Sequence, residues 1–202
     1  MENKLKWISS NGGPLVLIHE EDREEWFGGY SYTSDKKQAE IELDQGGLIQ
    51  EKDFTNPQKT HYGKACEVAE VCGTIKFNNT TALVLGDQPA LTSWLPSKEK
   101  AGGILVRWIY AENEESVTES LYEIPNTGWQ KNEIFRVNSK VLILFDSFTS
   151  GRNLEESEFL TFELEPENYE IETLEYQRDQ QTYLRLHRLV RSPDLVATVL
   201  KV

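Results

Sequence analysis

The 202-residue chain has few residues of the kinds that disulfide frameworks and metal sites use: two cysteines, three histidines and one methionine. A secreted scaffold usually carries more cysteines, and no Cys-x-x-Cys pair is present, so we expect Cys66 and Cys72 to be buried free thiols. A disulfide between them or a metal site is the alternative. A zinc site would need two more ligands, and the only imidazoles are those of His19, His61 and His187. We therefore predict no metal and no cofactor.

Long apolar runs are also absent. No window has 18 consecutive apolar residues, so the sequence predicts no membrane-spanning helix. The first residues, MENKLKWISSNGG, lack the apolar core of a signal peptide, which favours a cytoplasmic location. The composition is polar, yet 5 Trp, 8 Tyr and 8 Phe supply enough apolar surface for a globular core.

Basic residues are scarce, because 21 Lys and Arg face 34 Asp and Glu and leave a formal net charge of −13. Binding of nucleic acid depends on neutralising phosphates with Lys and Arg, so we expect no nucleic-acid partner. An anionic membrane surface is disfavoured for the same reason. A strongly acidic surface attracts basic proteins, although simple solubility explains the charge equally well.

The motifs of common catalytic sites are missing as well. The sequence has no Gly-x-Ser-x-Gly, His-Glu-x-x-His, Gly-x-x-x-x-Gly-Lys-Ser/Thr or Gly-x-Gly-x-x-Gly. We expect structural or solvated roles for the three histidines. Among 34 acidic residues a carboxylate pair is expected by chance, so none is assigned as an acid/base pair. The sequence therefore predicts that the protein is not an enzyme.

Strand signals dominate what is present. Pro14 opens the apolar run PLVLIH, and NNTT between GTIKF and TALVL predicts a hairpin whose asparagines adopt left-handed backbone. In the strand predicted over residues 102–111, Ile104 and Val106 face one way and Leu105 and Arg107 the other. Both faces are largely apolar and should be covered. EEDREEW and ENEESVTESLYEI predict short helices, the latter with acids in its first turn.

Six further strand-like segments follow residue 129, while residues 30–60 have few apolar anchors and are expected to form a long excursion. The prediction is an α+β fold, mainly antiparallel β, with two intimately packed halves and one or two short helices. Residues 1–115 would form an N-terminal mainly-β half. Residues 116–202 would form a C-terminal antiparallel half with one leading helix.

A concentrated acidic segment runs from Glu155 to Glu175, with nine glutamates and no basic residue. The turn EPEN predicts that residues 159–165 and 169–176 pair as an antiparallel hairpin. Alternation then places Leu160, Phe162 and Leu164 toward the core and the glutamates on the opposite side. The candidate partner-binding residues are Glu163, Glu165, Glu170 and Glu172, with Trp26 and Tyr30 near the excursion. A solvated face, relieved in part by RLHRLVR, is the alternative.

The stretch ALVLGDQPALTSWLP, residues 82–96, most resembles a motif. Arg107 lies within an apolar strand, and a buried guanidinium needs a carboxylate or carbonyl partner. Asp87, which follows a neighbouring strand, is one candidate partner. A structural pair, or Asp87 bonding the amides of its own turn, is favoured over a ligand-holding role.

Together, WISSNGGPLVLI, ACEV, ALVLGDQPALTSWLP, ILVRW, VLILFDS, LTFELEPENYEI and LRLHRL resemble the immunity protein 21 family of bacterial polymorphic toxin systems. The resemblance spans most of the chain and skips residues 30–60. It implies a cytoplasmic protein that binds and neutralises a cognate toxin. The acidic composition leads us to expect that this toxin is a basic protein. The family positions it implies here, with a fold-holding role, are Gly13, Pro14, Gly86, Asp87, Pro89, Trp94, Arg107 and Trp108.

Two other functions stay open from the sequence. A small-molecule or carbohydrate-binding β-domain would use exposed tryptophans such as Trp94 or Trp129, and a concave aromatic pocket would favour it. An enzyme with an unrecognised carboxylate site would show clustered Asp and Glu in a deep cleft with shifted pKa values.

Overall fold

The computed structural model describes residues 5–29, 60–86, 89–97 and 102–192, which fold mostly as antiparallel β-structure. The strands are β1 (Leu15–His19), β2 (Cys72–Phe77), β3 (Thr80–Leu85), β4 (Leu91–Pro96), β5 (Gly102–Tyr110), β6 (Gln130–Arg136), β7 (Val141–Asp146), β8 (Phe159–Glu163), β9 (Asn168–Gln177) and β10 (Tyr183–Arg191). The helices are α1 (His61–Cys66), α2 (Glu114–Leu121) and short 3-10 helices at Glu20–Glu25, Gly151–Asn153 and Glu156–Glu158. None of the helices in the described ranges has the length and apolarity that crossing a bilayer requires.

The strands form two five-stranded sheets that pack face to face. The first sheet has the order β2-β3-β1-β7-β8 and the second β4-β5-β10-β9-β6. Every pairing between named strands is antiparallel. The predicted fold class, mainly antiparallel β with short helices, is therefore confirmed.

One apolar cluster fills the space between the sheets. Leu17 and Leu144 of the first sheet and Leu105 and Ile171 of the second belong to it, each fully or almost fully buried. At one side of the sandwich Trp94 of β4 stacks on Phe162 of β8, with ring centroids 4.0 Å apart. The sheets are thus joined by a continuous core in which alternate residues of each strand interlock.

The outer face of each sheet is covered as well. On the first sheet Val16, Val84 and Phe145 pack under Trp26 and Ala65, which come from the segments containing the first 3-10 helix and α1. On the second sheet Val106, Leu174 and Leu186 pack against α2 through Val117 and Leu121. Burial on both faces explains why central strands such as β1 read as uninterrupted apolar runs.

Several local predictions are confirmed. β2 and β3 form the predicted hairpin, and Asn78 in its turn has the left-handed φ of 50°. α2 begins after Asn113, whose side-chain oxygen accepts the backbone N–H of Ser116 at 2.9 Å, and its first turn carries Glu114 and Glu115. β5 lies inside its sheet between β4 and β10. Its two faces enter different cores, through Leu105 and Val106.

The predicted hairpin between residues 159–165 and 169–176 is wrong. β8 pairs with β7 in the first sheet, whereas β9 pairs with β10 and β6 in the second. The chain crosses from one sheet to the other between them. The amide of Leu164 donates to the carbonyl of Lys140, and the carbonyl of Glu167 accepts the amide of Val137. These bonds tie each side of the EPEN turn to the β6–β7 connection instead of to each other.

Both sheets combine strands from before and after residue 115. β1, β2 and β3 join β7 and β8, while β4 and β5 join β6, β9 and β10. The proposed division into residues 1–115 and 116–202 therefore does not coincide with the division between sheets. α2 spans that boundary. The predicted excursion over residues 30–60 and the final predicted strand, DLVATVLKV, lie almost wholly outside the described residues.

Candidate partner-binding surfaces and the buried polar layer

A layer of polar side chains lies between the sheets and contains Arg107, which is 1% exposed. One guanidinium nitrogen, Nη2, donates to the carbonyl of Gly86 at 3.1 Å. The expected carbonyl partner of the buried arginine is therefore found, at the turn that follows β3. Asp87 lies outside the described residues, so its pairing with Arg107 stays a prediction.

Cys72, Thr173 and His187 continue this layer. The Thr173 hydroxyl lies 2.8 Å from His187 Nδ1 and 3.7 Å from Cys72 Sγ, so a polar chain links β2 to β9 and β10. Burial, followed by the positive charges of Arg107 and Arg185, lowers the pKa of His187 to about 3. Burial also raises the pKa of the Cys72 thiol. A neutral imidazole and a protonated thiol, both shielded from solvent, join the sheets and lack the thiolate that nucleophilic catalysis needs.

The other two histidines are also buried and hydrogen-bonded. His19 Nε2 accepts the amide of Asn138, and His61 Nδ1 accepts the amide of Phe27, both at 2.9 Å. Their structural role agrees with the expectation from the sequence. Within the described ranges, no group of three or more His, Cys, Asp and Glu residues is placed to hold a metal ion. Cys66 is exposed, which corrects the expectation that both thiols are buried.

The four predicted partner-binding glutamates do not share one face. Glu163 and Glu165 lie at the end of β8 and beyond it, where both are exposed. Glu163 forms an ion pair with Lys140 at 3.0 Å, and its side chain is 63% exposed. Glu170 and Glu172 lie on β9 in the other sheet. The predicted single anionic face depended on the hairpin, and the separation of β8 from β9 divides it.

Glu172 is a structural residue of the second sheet, because it is only 8% exposed and forms an ion pair with Arg188 on β10. The Arg188 guanidinium in turn lies over the ring of Trp129, 4.2 Å from its centroid. Glu170, half-buried beside it on the sheet, accepts from Lys131 Nζ at 2.9 Å. In this conformation Glu172 is thus buried and paired within the protein, and the charge of Glu170 is partly neutralised by Lys131.

Trp26 is fully buried and therefore not accessible to a partner in this conformation. Its indole N–H donates to the carbonyl of Ser147 at 2.9 Å, and its ring stacks on His61 with centroids 4.9 Å apart. The prediction that Trp26 contacts a partner is corrected by this placement. Tyr30 lies outside the described residues.

Two grooves contain the tryptophans expected of a small-ligand site. A groove of about 300 Å³ beside α2 is lined by Leu121, Ile124 and Trp129, among others. A second, of about 460 Å³, lies between β4 and β8 beside Trp94 and Phe159. A sugar stacks on the flat face of an aromatic ring, but Arg188 covers one face of Trp129 and Phe162 covers one face of Trp94. Each groove therefore leaves at most one indole face for a sugar, and the carbohydrate alternative stays a prediction.

The predicted fold-holding positions make several tight internal contacts. A Cβ added to Gly13 would lie 2.6 Å from the ring of Tyr62, and one added to Gly86 would lie 2.8 Å from the carbonyl oxygen of Glu70. The carbonyl of Pro14 accepts the Ser147 hydroxyl at 2.6 Å. Trp94 contacts Phe162, and Arg107 contacts Gly86. Trp108 contacts Trp7. Pro89 is exposed, so its contribution to the fold stays a prediction.

One accessible apolar feature was not singled out from the sequence. We define the Trp108 patch as Trp7, Leu91, Trp108 and Tyr110, on the outer face of the second sheet. Leu91 lies opposite Trp108 on the paired strands β4 and β5, and the Trp7 ring meets Trp108 edge-on at 5.7 Å. Leu91 is 41% exposed and Tyr110 56%. The available signal was that Trp108 and Tyr110 continue the Ile104–Val106 face past the part of the strand that α2 covers.

The fold and these surfaces define an acidic two-sheet β-sandwich with helices against its outer faces. The family model described as Immunity protein 21 matches residues 6–182 of the 202, so the chain belongs to the immunity protein 21 family. The resemblance seen in the sequence motifs is thereby confirmed. No curated protein and no solved structure gives a significant match to the chain.

Proposed function

We propose that this chain is a cytoplasmic immunity protein that binds a cognate bacterial toxin and neutralises it without chemical turnover. The observation that carries this proposal is the family match, which extends over residues 6–182 and so covers every named strand except β10. The buried polar layer is consistent with it. Cys72 and His187, the residues most like a catalytic pair, are sealed between the sheets, where they stabilise the fold.

The partner is a basic protein in this proposal. The formal net charge of −13 favours encounter with a cationic surface and disfavours nucleic acids and anionic membranes. Of the predicted glutamates, Glu163 and Glu165 are exposed and can attract such a partner, although Lys140 partly neutralises the charge of Glu163. Their field acts over a distance comparable with the Debye length, about 8 Å at physiological ionic strength, so they can increase the association rate without lying at the centre of the interface.

The decisive experiment first determines whether a gene beside the one for this chain encodes a toxin domain, and then uses that domain. Toxin activity is titrated with increasing amounts of the purified chain, and the complex is measured by calorimetry. A stoichiometric inhibitor abolishes activity at a fixed molar ratio, and further incubation changes neither protein covalently. Undiminished toxin activity at excess of a correctly folded chain would contradict the proposal. Covalent modification of the toxin by catalytic amounts of the chain would show that it is an enzyme.

The role of Glu163 and Glu165 is tested by reversing both charges, Glu163→Lys with Glu165→Lys. The matched control reverses Glu21 and Glu24, which are also exposed, on the first 3-10 helix. Both double variants change the net charge equally, so their difference isolates the location of the charge. We expect a slower association rate and a weaker salt dependence for the β8 variant than for the control. Equal effects of the two variants would remove β8 as a preferred site of attraction.

A further inference from the structure

The Trp108 patch has two exposed apolar side chains and lies on paired strands. Among the described residues, the large hydrophobic side chains classed as exposed are Leu91, Tyr110, Tyr122 and Ile134, and two of these four fall in the patch. Single exposed apolar residues are ordinary on protein surfaces, but a group beside two tryptophans on one sheet face is unusual. Paired strands hold Leu91 and Trp108 in place, and the ring of Trp7 supports Trp108 from the side.

Acidic groups border the patch. The indole N–H of Trp7 donates to Glu114 Oε1 at 3.0 Å, which fixes the first turn of α2 against the aromatic rings. Glu112 and Glu115, both exposed, lie in the same short segment that follows Tyr110. The described residues of β4, β5 and this segment contain a single cationic side chain, that of Arg107. It is buried on the opposite face, where it donates to Gly86. On the segment that carries Trp7, Lys6 is cationic and exposed, but its Nζ donates to the carbonyl of Glu156 and lies over the ring of Phe159. Along β5 and the start of α2 the patch thus has an aromatic centre and an acidic border.

We infer that the Trp108 patch is the anchor site for a basic segment of the toxin, whose Lys or Arg side chains lie against Trp108 and Tyr110 and reach the carboxylates of Glu112 and Glu115. Tryptophan and tyrosine are over-represented among the residues that dominate protein–protein affinity. Their ring faces also attract ammonium and guanidinium groups. This inference rests on the proposed function and adds the surface through which it is carried out.

Charge decides between a basic partner and a second copy of the chain. In a symmetric dimer the same surface appears on both subunits, so two borders of carboxylates would face each other. Like charges brought together across an interface oppose association. A cationic segment meets no such repulsion, and it gains both the aromatic contacts and the ion pairs.

The test compares side chains of the same type inside and outside the patch. Tyr110→Ala is paired with Tyr122→Ala, since Tyr122 is a more exposed tyrosine, 82%, at the C-terminal end of α2. Leu91→Ala is paired with Ile134→Ala, since Ile134 is similarly exposed, 44%, on β6. Each variant is measured for Kd with the toxin domain encoded beside the gene and for Tm. We expect Tyr110→Ala and Leu91→Ala to weaken binding at least about tenfold and the two controls less than about twofold.

A charge variant keeps the test decisive if truncation disturbs folding. Tyr110→Lys places a cation on the exposed edge of the patch and should weaken binding more than Tyr122→Lys. Glu112→Gln with Glu115→Gln should lower the association rate and the salt dependence. Wild-type affinity in the patch variants at unchanged Tm would overturn the inference while leaving the proposed function intact. Absence of binding by the wild-type chain would overturn the proposed function itself. A dimer dissociated by Tyr110→Lys would show that the occupant is a second copy.

Discussion

His187 provides a quantitative test of the buried polar layer, through the dependence of stability on pH. The imidazole is fully buried, and its pKa falls from an ordinary value of 6.5 to about 3 in the folded protein. Below pH 6.5 the unfolded chain takes up a proton at this residue, whereas the folded chain does so only near pH 3. The stability associated with neutral His187 is therefore complete above pH 6.5 and is lost progressively as the pH falls toward 3.

The expected size follows from the two pKa values. pH 5 lies 1.5 units below the pKa of 6.5 that His187 has in the unfolded chain, so the unfolded imidazole is protonated. In the folded protein the imidazole is still neutral at this pH. One unit corresponds to about 1.36 kcal/mol, so His187 alone should lower the free energy of unfolding by about 2 kcal/mol between pH 8 and pH 5. This is a substantial part of the roughly 5–15 kcal/mol that stabilises a typical domain.

The assay compares wild type with His187→Gln by urea denaturation at pH 8, 6.5 and 5. Glutamine retains a group that can hydrogen-bond Thr173 but does not titrate, and carboxylates titrate alike in both proteins. Between pH 8 and pH 5 the wild type should lose about 2 kcal/mol more unfolding free energy than the variant does. A pH-independent difference would refute the reasoning, as would an NMR titration in which folded His187 has a pKa near 6.5.

Three further substitutions and one control test other parts of the structure by urea denaturation. Trp26→Ala should cost about 3–5 kcal/mol because it empties a fully buried site and removes the bond to Ser147, while toxin affinity of the folded fraction stays unchanged; reduced affinity would show that Trp26 reaches the partner. Glu172→Gln should cost about 1–3 kcal/mol by leaving Arg188 without its carboxylate, whereas the exposed Glu163→Gln should change stability by no more than about 0.5 kcal/mol; equal costs would contradict the assignment. Gly28→Ala should cost more than about 2 kcal/mol, since φ is +61° and an added Cβ would overlap the carbonyl of Phe148, and a smaller cost would place this turn differently.

Local patterns in the sequence were sufficient wherever neighbouring residues determine the structure. Asn78 allowed the β2–β3 turn to be predicted, and the acids in its first turn allowed α2 to be predicted. The strand over residues 102–111 was predicted with both faces covered, and Leu105 and Val106 enter separate cores. Each of these features depends on contacts within a few residues or on the alternation of a single strand.

The pairing between distant strands was not predictable in the same way. Alternation correctly placed Leu160, Phe162 and Leu164 toward a core, but alternation does not state which sheet a strand joins. A proline-containing turn such as EPEN fits a hairpin and a crossing between sheets equally well. The opposite face of β9 was expected to be solvated. Instead α2 covers Leu174, and Trp129 with Arg188 encloses Glu172.

The partner surface illustrates the same limit. The glutamates were selected by their density in the sequence, yet exposure depends on the tertiary structure, which buries Glu172 and leaves Glu163 accessible. The Trp108 patch forms from Trp7, Leu91, Trp108 and Tyr110, which are separated by up to 103 residues in the chain. The pairing of β4 with β5 and the bridge between Ile8 and Thr92 bring them together, and neither contact could be predicted from the alternation of a single strand.

The position of β10 has a consequence for how the molecule is made. This strand lies between β5 and β9 and is the last strand of the described chain, so the second sheet cannot close until residue 191 has been synthesised. β1, the first strand, likewise waits for β7 to complete its pairing. Proteins whose paired strands are far apart in the sequence fold slowly, because long loops must close before the strands can pair. Truncation before Tyr183 should leave unpaired edges on β5 and β9 and favour aggregation, and newly made chains would gain their binding surfaces late in biosynthesis.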